Sequence, residues 1–257
     1  MKIAVTICEY NPFHNGHAYS LEQIKKTSGA DAVVCVMSGN FTERGEIAIM
    51  NKYVRAKHAV LAGADLVVEL PTVFATAPAE IFAGGAVKIA ESLSGERTLF
   101  FGIENGTKDG LIATASYLLR ESAEFKALLK EELKTGASFA RARYNALEKL
   151  NPPGIDLGFT TSPNNILALE YAKAVIERGY KTELSPILRT GAGYKAEEPD
   201  GKFFSASGIR ELLTTGKKRK AAKFMPKFVY NDLPDELVSV DDLVLYALLS
   251  TPKKDIA

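Results

Sequence analysis

Two of the chain's three histidines, His14 and His17, stand three positions apart around Asn15 and Gly16. The apolar run at residues 3–8, of strand length, lies just before them. Just after them, residues 20–26 repeat like a helix, with Leu21 and Ile24 three apart. The pair therefore belongs to a strand-to-helix junction. Gly16 lets the backbone approach a ligand closely. A helix start offers free N–H groups and the positive end of its dipole, so phosphate is the expected guest. Imidazoles there donate hydrogen bonds to phosphate oxygens and stabilise the charge that grows on a leaving pyrophosphate. His14 and His17 are the candidate catalytic residues. His58, mid-helix with no partner pattern, reads as structural.

Other clusters are weaker. Ser205, Ser207 and Arg210 fall on one predicted helix start and could form a second anion site. Lys52 and Arg55, three apart, share a helix face and read either as a phosphate clamp or as a solvated face. Lys217, Lys218, Arg219, Lys220, Lys223 and Lys227 form a basic run with no acid among them, either solvated or able to hold an RNA backbone. There is no Walker motif, no Gly-x-Gly-x-x-Gly after the first strand, no Gly-x-Ser-x-Gly elbow and no zinc-ligand spacing.

The elements that must position these residues are legible as a βα rhythm. Strands are expected at residues 3–8, 31–37, 66–70, 98–103 and 181–188, nearly all apolar, as in a parallel sheet covered on both faces. Helices are expected at 48–62, with Ile49, Tyr53, Ala56 and Val60 as the inward stripe, at 78–93, and at 166–178, with Ser162 as cap and Pro163 in the first turn. Residues 107–150 read as a helical insertion, its second helix spanning 138–150. The sum is an α/β protein with a Rossmann-like doubly wound parallel sheet, a helical insertion and a short helical C-terminal extension. Its ligand loops gather at the carboxyl edge, after Cys8, Ser38, Leu70 and Ile103. We expect one catalytic unit over residues 1–215 and a basic, then acidic, segment over 216–257, with a last apolar helix at 243–249.

At 257 residues, 46% hydrophobic and 25% charged, the chain has the balance of a globular protein. A net charge of +1 leaves nucleic-acid binding to a local patch. Cys8 and Cys35 lie in strand-like runs and read as buried reduced thiols. With no leader pattern and no apolar run of about 18 residues, a cytoplasmic protein without membrane contact is expected.

The His-x-Gly-His pair resembles the nucleotidyltransferase superfamily that includes class I aminoacyl-tRNA synthetases and small adenylyltransferases. Five longer stretches, at residues 9–17, 36–46, 63–71, 162–171 and 189–194, resemble in order the bacterial tRNA(Met) cytidine acetate ligase family. That resemblance implies condensation of acetate with ATP to acetyl-adenylate and pyrophosphate. It further implies transfer of the acetyl group to N4 of the wobble cytidine of elongator tRNA(Met). By motif position it implies an ATP loop made of Ile7, Cys8, Glu9, Tyr10, Asn11, Pro12, Phe13, His14, Asn15, Gly16, His17, Ala18, Tyr19 and Ser20. Gly102 maps to the adenosine side, Asn164 and Arg189 to further nucleotide contacts, and Ser205 and Ser207 to a signature that closes over the phosphates. Mg²⁺ would arrive on the phosphates; no spacing selects Glu9 or Asp65 as its ligand. Members of that family continue into a basic C-terminal segment, so residues 216–257 are expected to be an incomplete tRNA-binding region. A small-molecule adenylyltransferase, or a catalytically silent nucleotide- or RNA-binding module, are the alternatives.

Overall fold

The computed structural model describes residues 1–189, 201–237 and 239–253. Five strands form one sheet: β1 (Lys2–Cys8), β2 (Ala32–Ser38), β3 (Leu66–Leu70), β4 (Glu96–Ile103) and β5 (Glu183–Leu188). Their order is β3-β2-β1-β4-β5, and every pairing is parallel. The chain winds outward from β1 to β3, then returns to place β4 on the other side of β1. That reversal opens a crevice above the carboxyl ends of β1 and β4, where ligands of such sheets bind.

Strand alternation divides the core in two. Val5, Val36, Leu99 and Phe101 point to one face, and Ala4, Cys35, Met37 and Phe100 to the other. The helices are α1 (Asn15–Ser28), α2 (Lys52–Leu61), α3 (Thr72–Ala75), α4 (Ala79–Ser92), α5 (Lys108–Leu119), α6 (Ala123–Lys134), α7 (Phe139–Leu150), α8 (Pro163–Glu177), α9 (Ala206–Thr214), α10 (Lys218–Ala221), α11 (Lys227–Asn231) and α12 (Asp241–Ser250). The first face is covered through Phe82 and Val87 of α4, Leu111 of α5, Phe125 of α6, Leu147 of α7 and Leu169 of α8. The second is covered by Leu21 and Ile24 of α1, Ala59 of α2, Ile209 and Leu212 of α9, Ala221 of α10 and Val229 of α11.

The doubly wound sheet matches expectation, but several helices differ from it. Helix α2 begins at Lys52, because Asn51 caps it by accepting from the Tyr53 N–H at 2.9 Å. Its inward stripe is Arg55, His58 and Ala59, while Tyr53 is 74% and Val60 50% exposed. Apolar periodicity missed this face because two of its residues are polar and find partners inside. The insertion holds three helices, not two: Ser122 ends the expected first run and caps α6 through the Phe125 N–H. A short turn, α3, precedes α4. Ser162 stands at the N-cap of α8 but makes no capping bond. Helix α12 is present, with no buried residue.

Leu169 is fully buried between α8 and the sheet, so Leu169→Ala should cost about 2–5 kcal/mol of stability. Leu249→Ala on exposed α12 should stay within about 0.5 kcal/mol. Urea melts of the two variants measure the contrast; equal losses would contradict this assignment of the core.

Candidate active site at the carboxyl ends of β1 and β4

Chain geometry places the two histidines at the first turn of α1. His14 is the N-cap residue, with extended backbone at φ −139° and ψ 175°. Its Nδ1 accepts the Gly16 N–H at 3.0 Å, and Nδ1 of His17 accepts the His14 N–H at 3.3 Å. This is a reciprocal capping box built from imidazoles instead of hydroxyl and carboxylate. A ring whose Nδ1 accepts must carry its proton on Nε2 while neutral. Both rings therefore hold an Nε2–H donor that the helix cap does not use. They stack with centroids 3.6 Å apart at 21°. Behind them, Tyr10 and Phe13 pack on His17 at 4.8 and 5.6 Å.

Electrostatics keeps both rings neutral. Burial, then the Arg189 guanidinium, pushes His14 down to about 3. Burial, then His14, then Arg189 hold His17 well below its usual value. Arg189 thus acts on both rings. It follows β5, its N–H bonds Ile103 O at 2.9 Å, and its side chain lies along Gly102, where an added Cβ would come within 3.1 Å of its Cγ. Gly102 is thereby the position on β4 that lets a cationic side chain cross toward the crevice. The rest of the loop at 190–194 lies outside the described residues.

The other expected site residues divide into those at the crevice and those that support it. Ile7 and Cys8 end β1. Burial raises the Cys8 thiol, the Tyr10 hydroxyl lies 3.6 Å from Cys35 Sγ, and hydrogen bonding from Cys8 holds the buried Cys35 thiol below its usual value. Phe13 is fully buried in the second core, and Tyr10 nearly so. Their side chains support His17 and do not line a ligand surface. Glu9 Oε1 accepts the Glu43 N–H at 2.8 Å, and Asn11 Oδ1 the Ile49 N–H at 2.9 Å. Burial raises the Glu9 carboxyl. Pro12 continues that buried loop, and Gly16, Ala18, Tyr19 and Ser20 lie half-buried on α1. Asn164, in the first turn of α8, donates to Glu104 Oε1 at 2.8 Å beyond β4. Ser205 caps α9 through the Gly208 N–H at 3.1 Å, with Ser207 Oγ 3.1 Å away.

The suggested clamp of Lys52 and Arg55 does not exist. Lys52 pairs with Glu69 at 2.6 Å, and Arg55 turns inward to backbone carbonyls. Asp65 accepts the Val33 N–H at 2.8 Å. His58 is structural, its Nε2 2.9 Å from Asp232 Oδ2. Sequence reasoning missed three bonds that fasten α9 and the segments on either side of it to the histidine loop. Arg210 donates to Asn11 O at 3.0 Å, and Asn15 Nδ2 to Lys202 O at 2.9 Å and Lys223 O at 3.2 Å. Nothing in a linear pattern signals bonds to carbonyls so far along the chain.

A parallel sheet of this order, with a histidine-capped helix at its switch point, defines a nucleotide-binding α/β protein of the nucleotidyltransferase type. The family described as HIGH Nucleotidyl Transferase matches residues 1–257, and the chain belongs to that family. It is similar to the tRNA(Met) cytidine acetate ligase of Acetivibrio thermocellus, 48% identical over 84% of this chain and 52% of that protein. The Clostridium perfringens protein of the same name is 41% identical over 98% of this chain and 66% of its own length. Among solved structures, Thermotoga maritima TmcAL bound with alpha-thio ATP superposes with a TM-score of 0.81 at 34% identity, over 91% of this chain and 55% of that one. Its apo form gives 0.84 at 35% identity, over 91% and 56%. The chain therefore spans between about half and two thirds of the length of these relatives.

The depressed histidine values have a stability consequence. Where the folded pKa lies below the unfolded one, the unfolded chain binds more protons between the two values, and stability falls as pH falls through that window. For His14 the window runs from the usual 6.5 down to about 3. Acidification from about pH 7.5 to about pH 4.5 should lower the melting temperature of wild type more than that of His14→Asn. Parallel curves for the two proteins would show that the ring is not held neutral in the folded state.

Proposed function

We propose that the protein activates acetate with ATP and transfers the acetyl group to N4 of the wobble cytidine of elongator tRNA(Met). The observation that carries this reading is the imidazole capping box at the sheet's switch point, with two Nε2–H donors beside Arg189. The names of the similar proteins and the alpha-thio ATP bound by a similar structure support it.

In the first step a carboxylate oxygen of acetate attacks the α-phosphorus. The bond to the bridging oxygen breaks and pyrophosphate leaves with the negative charge. Acetate is already an anion at neutral pH, so no strong base is needed; two anions must be brought together and their repulsion offset. His14 and His17 would donate from Nε2 to phosphate oxygens, the positive end of the α1 dipole would add to them, and Arg189 would offset the remaining charge. The stretch from Ile7 to Ser20 would form the near wall of the ATP cleft. Gly102 and Asn164 would flank the nucleoside, and Ser205 and Ser207 would close over the phosphates. Among the described residues no group of three or more His, Cys, Asp or Glu is arranged to hold a metal ion. Mg²⁺ would be held by phosphate oxygens and water, and would offset phosphate charge.

In the second step N4 of an unstacked cytosine attacks the acyl carbon, AMP leaves and the N4 proton is released. Splayed single-stranded loops are the usual target of sequence-specific RNA recognition. The basic run from Lys217 to Lys227, as part of a tRNA-binding region over 216–257, would hold the RNA backbone. Its Lys223 carbonyl is tied to Asn15, next to the histidines. These substrates suit a cytoplasmic protein, and no helix among the described residues is long and apolar enough to cross a membrane.

Mass spectrometry of a mixture with ATP, Mg²⁺ and acetate should reveal acetyl-adenylate, and His17→Ala should cut its formation by about 10²–10³. Exchange driven by another substrate and not by acetate would indicate a small-molecule adenylyltransferase. ATP binding with no adenylate from any acid would indicate a silent module. For the RNA step, labelled acetate should enter tRNA(Met). Affinity should fall steeply with salt, by a slope that Lys217→Ala, Lys218→Ala and Lys220→Ala together make shallower. An unchanged slope would retire the basic run as the RNA contact.

A further inference from the structure

Arg55 is fully buried, and among the described residues its guanidinium bonds only to main-chain carbonyls. Nε donates to Met50 O at 3.1 Å, Nη1 to Glu9 O, and Nη2 to Ser38 O at 3.2 Å and to Gly39 O. These acceptors come from three segments: the exit of β1, the exit of β2 and the approach to α2. The nearest acids are engaged elsewhere, Glu9 by the Glu43 N–H and Glu69 by Lys52. Residues 40–52 are further bound to this corner by the Ile49 N–H on Asn11 Oδ1 at 2.9 Å and the Lys52 N–H on Asn40 Oδ1 at 3.0 Å. The loop after β2 is thus folded onto the loop after β1, with Arg55 at its root.

Glu9 and Glu69 lie near enough to favour its charge, but no carboxylate among the described residues bonds it directly; a buried cation so placed is an expensive way to fill a core, since an apolar side chain of similar volume is often at least as stabilising. Its position supplies a reason to keep it. Parallel strands end in carbonyl lone pairs, and two anions must meet at that edge. Arg55 draws the carbonyls of β1 and β2 inward and leaves a fixed positive charge beneath them.

We propose that Arg55 is a positioning residue for the carboxylate substrate. It fixes the exit of β2 against that of β1, so that acetate is held on the β2 side of the ATP wall formed by Ile7 to Ser20, while His14, His17 and Arg189 hold the phosphates. The inference rests on the adenylating reading above. The test uses the full chain with Arg55→Lys, which keeps the charge but loses the fork, and Arg55→Met, which loses both. Acetate-dependent ATP–pyrophosphate exchange gives kcat and the KM for acetate, calorimetry gives the Kd for ATP, and thermal melting gives Tm. Arg55→Lys should raise the KM for acetate and lower kcat by about tenfold each, with the Kd for ATP changed less than about twofold; Arg55→Met should do more. A lower Tm with wild-type kcat and acetate KM would overturn the proposal, as would equal weakening of ATP and acetate. Should Arg55→Met not fold, Arg55→Lys decides. Absence of exchange in wild type would instead overturn the adenylating reading and this inference with it.

Discussion

A parallel sheet directs the carbonyl ends of all its strands to one edge, and that edge is where its crossover loops leave room for a ligand. For a ligand as anionic as a triphosphate the electrostatics there start out unfavourable. Much of the local structure answers that constraint. The exits of β1 and β2 lose their free carbonyls to Arg55. Directly beyond β1 the chain turns into α1, whose N-terminus brings the positive end of a helix dipole and the two cap imidazoles. Across the crevice, Arg189 follows β5 and passes over the one β4 position that has no side chain. The positive groups come from three separate parts of the chain and share only the sheet edge as a reference.

The histidine box adds a subtler solution. Two protonated imidazoles stacked at 3.6 Å beside an arginine would repel one another and the helix dipole. Burial and these neighbours keep both rings neutral, so the two rings and the arginine do not repel one another. The capping bonds then decide the tautomer: each Nδ1 is used by the helix, and each Nε2 keeps the hydrogen. One interaction that begins a helix thus also orients two donors. Tyr10 and Phe13 explain why the motif is longer than its histidines, since they form the rigid floor on which His17 stands.

Most of this fold was legible because its strands are short, apolar and separated by helices of ordinary length. The histidine site was legible because residue type, spacing and position at a strand end agreed. What sequence could not convey were groups whose role is to satisfy backbone. Arg55 read as part of a clamp or of a solvated face and His58 as structural, and only the carbonyls around the first and Asp232 beside the second show why they face inward. The break before α6 had a signal, Ser122 three residues ahead of Phe125, but the leucine spacing on either side masked it. Arg189 and Gly102 were found by resemblance; their mutual packing is a three-dimensional fact.

The C-terminal segment bears on how the two proposed half-reactions relate. Its basic run is not an appendage to the second core: Ala221, Phe224, Met225, Val229 and Leu233 are buried in it with Phe13 and Leu21. Asn15, between the two histidines, holds the carbonyls of Lys202 and Lys223, and Arg210 holds the carbonyl of Asn11. Phe228 meets Phe13 at 6.4 Å on the same side. The main chain that displays the lysines is therefore fastened to the main chain that displays the histidines. An RNA strand gripped by that segment would be held in register with the phosphate site without a moving domain, and a shift of either partner would be felt by the other. Substitutions at Asn15 should consequently disturb both steps, whereas changes to the lysine tips, which leave those carbonyl bonds intact, separate RNA affinity from nucleotide chemistry.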